Sequence, residues 1–157
     1  MSFTTLLNLI KTRIDGSADF WTEKNLPAIT EVIPWEGGLN YDEERDDPQP
    51  PRPYIALDFG DLPREYTEGF KEGTMDFDLV VVVDNFHTGR SRSRDRADYL
   101  EVLSYADAVE QLFEGWEQIR VTTFRKPVYQ GNLCIHRLAC TRRFRDTRNR
   151  APWTVTV

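Results

Sequence analysis

Few residues in this chain are equipped for chemistry. Its 157 residues include two histidines, His87 and His136, and two cysteines, Cys134 and Cys140. The triplet Cys134-Ile135-His136 puts a thiol and an imidazole on one side of an extended strand, with Cys140 farther along. A zinc site needs about four ligands converging on one point. Ligands strung along a single strand do not converge without help from elsewhere, so a packed strand face is the expectation. A disulfide between the two cysteines is not expected either, because six residues of extended chain separate their Cα atoms by roughly 20 Å. Reduced thiols fit a cytosolic origin.

Nucleophilic and phosphate chemistry lack their usual signatures. A serine nucleophile needs a histidine oriented by an acid. His136 with a distant serine stays open, but no GxSxG elbow occurs, and neither GxxxxGK[ST] nor GxGxxG is found. The acidic pairs Asp42-Glu43-Glu44 and Asp46-Asp47 fall in a stretch too rich in proline and glycine to hold two carboxylates at a fixed separation.

Charge is the more informative feature. The net charge is -6, an acidic total that argues against general coating of nucleic acid, which runs on phosphate neutralisation. The total hides an asymmetry. From Glu36 to Asp78 thirteen acids face four bases, and from Arg137 to Arg150 six arginines face one acid, Asp146. The segment NFHTGRSRSRDR, residues 85–96, adds Arg90, Arg92, Arg94 and Arg96 against Asp95. Arginine's planar fork pairs with carboxylate or phosphate alike, so two surfaces compete. One binds nucleic acid. The other is self-complementary, with a basic edge of one copy meeting an acidic edge of the next, and head-to-tail contacts of that kind close into rings. The second is preferred because both signs are present and well separated in sequence. The candidate contact residues are Asp42, Glu43, Glu44, Asp46 and Asp47 on the acidic side, and Arg90, Arg92, Arg94, Arg142, Arg143 and Arg145 on the basic side.

The elements that would position these residues follow from periodicity. Leu6, Leu7, Ile10 and Ile14 recur at helical spacing, Ser2 or Thr4 can cap the start, and Gly16 stops the pattern. Residues 17–28 read as a connection and 29–35 as a strand. Residues 36–53, with four prolines, read as a long acidic loop. The segment 53–61 alternates as a strand, with Tyr54, Ala56 and Asp58 on one face and Ile55, Leu57 and Phe59 on the other. The strongest strand signal covers 74–86, where Met75, Phe77, Leu79, Val81 and Val83 share a face. The opposite face changes from Asp76 and Asp78 to Val80 and Val82, so its second half should be covered. An Arg-rich loop at 87–96 leads, with Asp95 as cap, into a long helix over 96–116 with a stripe of Leu100, Leu103, Ala106, Val109, Leu112 and Phe113. Two strands, 117–129 and 132–146, then meet at a tight turn around Gly131. The first should show Ile119, Val121 and Thr123 on one face.

Together these predict one α+β domain spanning 1–157: an antiparallel sheet with a short N-terminal helix and one long helix packed on one side. No apolar run approaches membrane-spanning length, and residues 1–14 lack the basic region and cleavage site of a signal peptide. A soluble protein made in the cytoplasm is expected.

The order of these segments is similar to that of the tail-terminator (tail-completion, neck and head-tail joining) proteins of long-tailed bacteriophages. The resemblance rests on the short helix TTLLNLIKTRI, the strands PYIALDFGD and FDLVVVVDNF, the long helix ADYLEVLSYADAVEQLF, and the closing pair IRVTTFRKPV and LCIHRLACTRRF. The acidic, proline-rich insertion 36–53 departs from the compact version. The resemblance implies a structural virion protein with no catalytic residues and no cofactor. It would form a ring homo-oligomer, commonly a hexamer, at the head-proximal end of the tail. Its partners would be tail-tube and neck or connector proteins, and it would reside in the host cytoplasm during assembly and then in the virion. Two rival expectations remain: a nucleic-acid-binding accessory domain using the Arg-rich loop and C-terminal arginines, and a small enzyme with a pocket around His136.

Overall fold

The computed structural model describes residues 3–35, 52–60, 65–67, 70–84, 92–130 and 133–147. Helix α1 (Phe3–Asp15) turns Leu6, Ile10 and Ile14 inward, one helical turn apart. Gly16 ends it, donating its N–H to the Thr12 carbonyl. The connection expected over 17–28 contains a second short helix, α2 (Ala18–Glu23). It exists to seat Trp21, whose Nε1–H donates to Ser17 Oγ while that hydroxyl donates to the Ile14 carbonyl. Six residues with one buried anchor give too weak a periodic signal to be read from sequence.

Strand β1 (Val32–Pro34) is followed by β2 (Tyr54–Phe59), β3 (Glu65–Thr67) and β4 (Phe70–Asp84). Helix α3 (Arg92–Phe113), a 3-10 turn at Trp116–Gln118, β5 (Ile119–Phe124), β6 (Val128–Gln130) and β7 (Leu133–Thr147) complete the order. The strands form one sheet in the order β1-β2-β4-β7-β5, with β3 also on β4 and β6 also on β7. All pairings are antiparallel except β1 with β2, which run parallel. The α+β class therefore holds, with a mixed sheet in place of the wholly antiparallel one expected.

β4 and β7 form the spine. Each has fifteen residues, in register from Phe70 opposite Thr147 to Asp84 opposite Leu133. At about 3.4 Å per residue the ladder runs on the order of 50 Å. The helix-side face carries Ile55, Leu57, Met75, Phe77, Leu79, Val81, Val83, Leu138, Cys140 and Phe144, packed against α1, Trp21 and the Tyr105–Phe113 stripe of α3. The other face has its own smaller apolar cluster, Tyr54, Ala56, Val80, Val82, Leu133 and Ile135, with Ile33 and Trp35 against it. Val80 and Val82 are fully buried, as the change from aspartate to valine along that face predicted.

Several boundaries moved. The strand expected over 29–35 narrows to Val32–Pro34, and the one expected over 117–129 divides into β5 and β6 with 125–127 between them. β4 begins at Phe70, so part of the expected connection before residue 74 belongs to a hairpin with β3. α3 begins at Arg92, so Arg92, Arg94 and Arg96 lie in a helix and Asp95 is inside it, not at its cap. Arginines at the positive end of a helix dipole are unfavourable by a few tenths of a kcal/mol each, and such a start carries no sequence signature. The face assignment of β5 also changed. A bulge between Val121 and Thr123 puts Thr123 opposite Ala139 and Phe124 opposite Leu138. Ile119 and Val121 thus share the helix-side face with Phe124, and Thr123 points the other way.

Candidate interaction surface

β7 carries most of the charged candidates, and the alternation of a strand divides them. Arg142 falls on the helix-side face and is 8% exposed. Its Nε–H donates to the Glu117 carbonyl at 2.8 Å, and its Nη2 lies 3.5 Å from the Glu117 carboxylate. The turn it holds is unusual: Gly115, Glu117 and Gln118 all have positive φ, at 78°, 50° and 61°, and two of these are not glycine. The Glu114 carboxylate accepts the Val121 N–H on the other side of the corner. Arg142 therefore clamps the passage from α3 to β5 and is not available to a partner, contrary to its place among the contact candidates.

Arg143 and Arg145 are exposed on the second face. Arg145 stands directly across from Glu72, and Arg143 across from Thr74. Arg137, on the same face, reaches over two strands. Its Nη1 lies 2.7 Å from Asp58 and 3.2 Å from Asp78, two carboxylates directly opposite each other on β2 and β4. Its guanidinium also covers the Trp35 ring at 4.8 Å.

These placements change the charge map. The acids of 58–78 and the arginines of 137–145 do not occupy remote poles, because β4 and β7 are neighbours. What remains is a sheet divided across its strands. β2, β3 and β4 bear Asp58, Glu65, Glu72, Asp76, Asp78 and Asp84 against Lys71. β7, β5, β6 and the link between the last two bear Arg120, Arg125, Lys126, Arg137, Arg142, Arg143 and Arg145 against Asp146. The β4–β7 seam brings the two signs together. Of the two outermost strands, β1 (Val32–Pro34) carries no charge and β5 carries Arg120. The outer basic edge consists of Arg120 on β5 and Arg125 and Lys126 on the β5–β6 link, all exposed. Among the described residues no carboxylate pairs with these three. They were not among the expected contact residues. The signal for Arg125 and Lys126 was a pair of bases beside Pro127 at the end of an alternating segment; Arg120 had none.

Asp42, Glu43, Glu44, Asp46, Asp47 and Arg90 lie outside the described residues, and Arg92 and Arg94 lie in the first turns of α3. The chemical candidates are packed. His136 is 1% exposed on the helix-side face, edge-on to Phe124 with ring centroids 5.9 Å apart. Cys134 and Cys140 are buried free thiols, and burial pushes the Cys140 thiol up to about 12. Among the described residues no three His, Cys, Asp or Glu side chains gather in a way that could hold a metal ion, and no helix is long and apolar enough to cross a membrane. In comparisons with known proteins, no family model matches the chain and no curated protein matches it significantly.

Proposed function

We propose that this chain is a structural assembly subunit of the tail-terminator kind. On this reading it performs no reaction and joins copies of itself into a ring at the head-proximal end of a phage tail, between tail-tube and neck proteins. The observation that carries this reading is the transverse charge division of the sheet. A body with an acidic half, β2 to β4, and a basic half, β7 to β5, favours the contact of unlike halves and disfavours that of like halves, and repeated heterologous contact closes into a ring when the rotation permits. The element order adds support: a short first helix, a long central strand pair, and a long helix returning to a closing hairpin are the parts that carried the resemblance to tail-terminator proteins.

The test is negative-stain electron microscopy and light scattering of the purified chain, alone and with tail-tube particles. Annuli that form at low salt and weaken as ionic strength rises are expected, because exposed ion pairs are screened within about 8 Å at physiological ionic strength. A chain that stays monomeric at high concentration, low salt and in the presence of tubes overturns the reading. An electrophoretic shift with duplex or single-stranded DNA at low salt, lost steeply with added salt, would instead favour the nucleic-acid alternative.

A further inference from the structure

The basic outer edge is built unlike an ordinary exposed strand. β5 pairs only with β7 among the described residues, and bases and apolar side chains are interspersed from Arg120 to Val128. Arg120, Arg125 and Lys126 are exposed, Phe124 is 37% exposed and Val128 is 57% exposed. Phe124 and Val128 are two of the three large hydrophobic residues left exposed in the described structure. The bulge at Thr122 and the three bases guard this edge against indiscriminate strand addition. They also leave a strip that reads base, apolar, base, base, apolar. Arg120 and Arg125 are five residues apart, but the bulge shortens the span: they stand across from Thr141 and Arg137, four residues apart on β7, roughly 14 Å.

We propose that this β5–β6 strip is the docking site for the acidic segment Asp42–Asp47 of a second copy of the chain. Three observations select that occupant. Its charge is complementary: Asp42, Glu43, Glu44, Asp46 and Asp47 surround a single base, Arg45. Its length suffices, since Asp42 and Asp47 are five residues apart, up to about 17 Å when extended, enough to span the two arginines. Its origin fits, because the segment joins β1 to β2, at the sheet edge opposite β5. Leu39 and Tyr41 precede the acids and supply apolar groups for Phe124 and Val128. Two of the arginines named first from sequence are poorer hosts. Arg142 is clamped inside the fold and Arg145 stands across from Glu72. A contact from one edge to the opposite edge of the next copy is heterologous, so this docking deepens the ring reading and rests on it.

Two full-length variants test the docking. The edge variant carries R120Q, R125Q and K126Q, all at exposed positions, so its fold should survive, and circular dichroism checks that. The acid variant carries D42N, E43Q, E44Q, D46N and D47N. Each alone should fail to assemble. An equimolar mixture should stop at dimers, because each mixed pair holds one intact acid segment against one intact edge and cannot extend. A fluorescein-labelled peptide of residues 39–48 should bind the acid variant at low salt, and at least tenfold more weakly a chain carrying both sets of changes. If the edge variant assembles like the unmodified chain, or the peptide binds both hosts equally or neither, the docking is overturned while the ring reading stands. If the unmodified chain forms no assembly, the ring reading falls, and peptide binding alone then decides whether the strip recognises acidic chain.

Discussion

Arg137 shows how little of a charged residue's role is visible in its identity. In sequence it opens a run of arginines that suggests a binding surface. In the fold it cancels the repulsion between Asp58 and Asp78, which face each other across β2 and β4. All three side chains are partly exposed, so solvent tempers the energies. Arg137→Ala should cost about 1–2 kcal/mol, read as a lower urea midpoint, and Asp58→Asn in the Arg137→Ala background should recover part of it. Additive losses would mean that the three groups are not coupled. Cys140 offers a pH test. An unfolded thiol titrates near 9.0 and the folded one near 12. Between those values the unfolded chain loses a proton that the folded chain keeps, so this residue lowers stability as pH rises, by up to about 1.4 kcal/mol per unit. Well below pH 9 it contributes no pH dependence. Cys140→Ala should start less stable, through lost packing, yet decline less between pH 8.5 and 10.5.

Strands and helices were legible where a pattern ran long enough. The alternation of β4, the two faces of β2 and β7, and the Ala106, Val109, Leu112 and Phe113 part of the α3 stripe follow from side chains that must share one side of an element, whereas Leu103 is half-buried. Three things were not legible, each for its own reason. α2 is held by a single tryptophan and a serine that relays its hydrogen bond, a tertiary arrangement with no periodic trace. The β1–β2 pair is parallel, which needs a crossover connection in place of a tight turn, and local sequence does not encode the direction of return. The bulge of β5 inserts one residue and reverses every later assignment on that strand. The contact surface was legible as charge and not as place: the excess of arginine was plain, but pairing across the β4–β7 seam consumes part of it. A contrast between two positions on the second face tests the reading of this sheet. Val82 is buried and Thr74 is exposed. Val82→Asp should destabilise by more than about 3 kcal/mol, because it buries a carboxylate, whereas Thr74→Asp should change the urea midpoint by less than about 0.5 kcal/mol. Equal effects would mean that the second face is uniformly solvated. At the corner after β2, a Cβ on Gly60 would lie 2.8 Å from the Asp76 carbonyl oxygen, so Gly60→Ala should cost about 1–3 kcal/mol by pushing backbone from backbone.

For the molecule as a whole, the long β4–β7 ladder has a kinetic consequence. Its two strands are separated in the chain by all of α3, β5 and β6, so none of its cross-strand bonds can form until residues 133–147 are present. Closing so large a loop is entropically expensive before any pairing rewards it, and topologies dominated by distant contacts fold in milliseconds to seconds, not microseconds. Nearly every other strand leans on one of these two, so the half-built sheet has no stable resting point. A nascent chain ending before residue 133 should remain protease-sensitive on the ribosome and become resistant in a single step once the last strand has emerged. Gradual acquisition of resistance as α1, β2 and α3 appear would mean that the early elements stand without their spine.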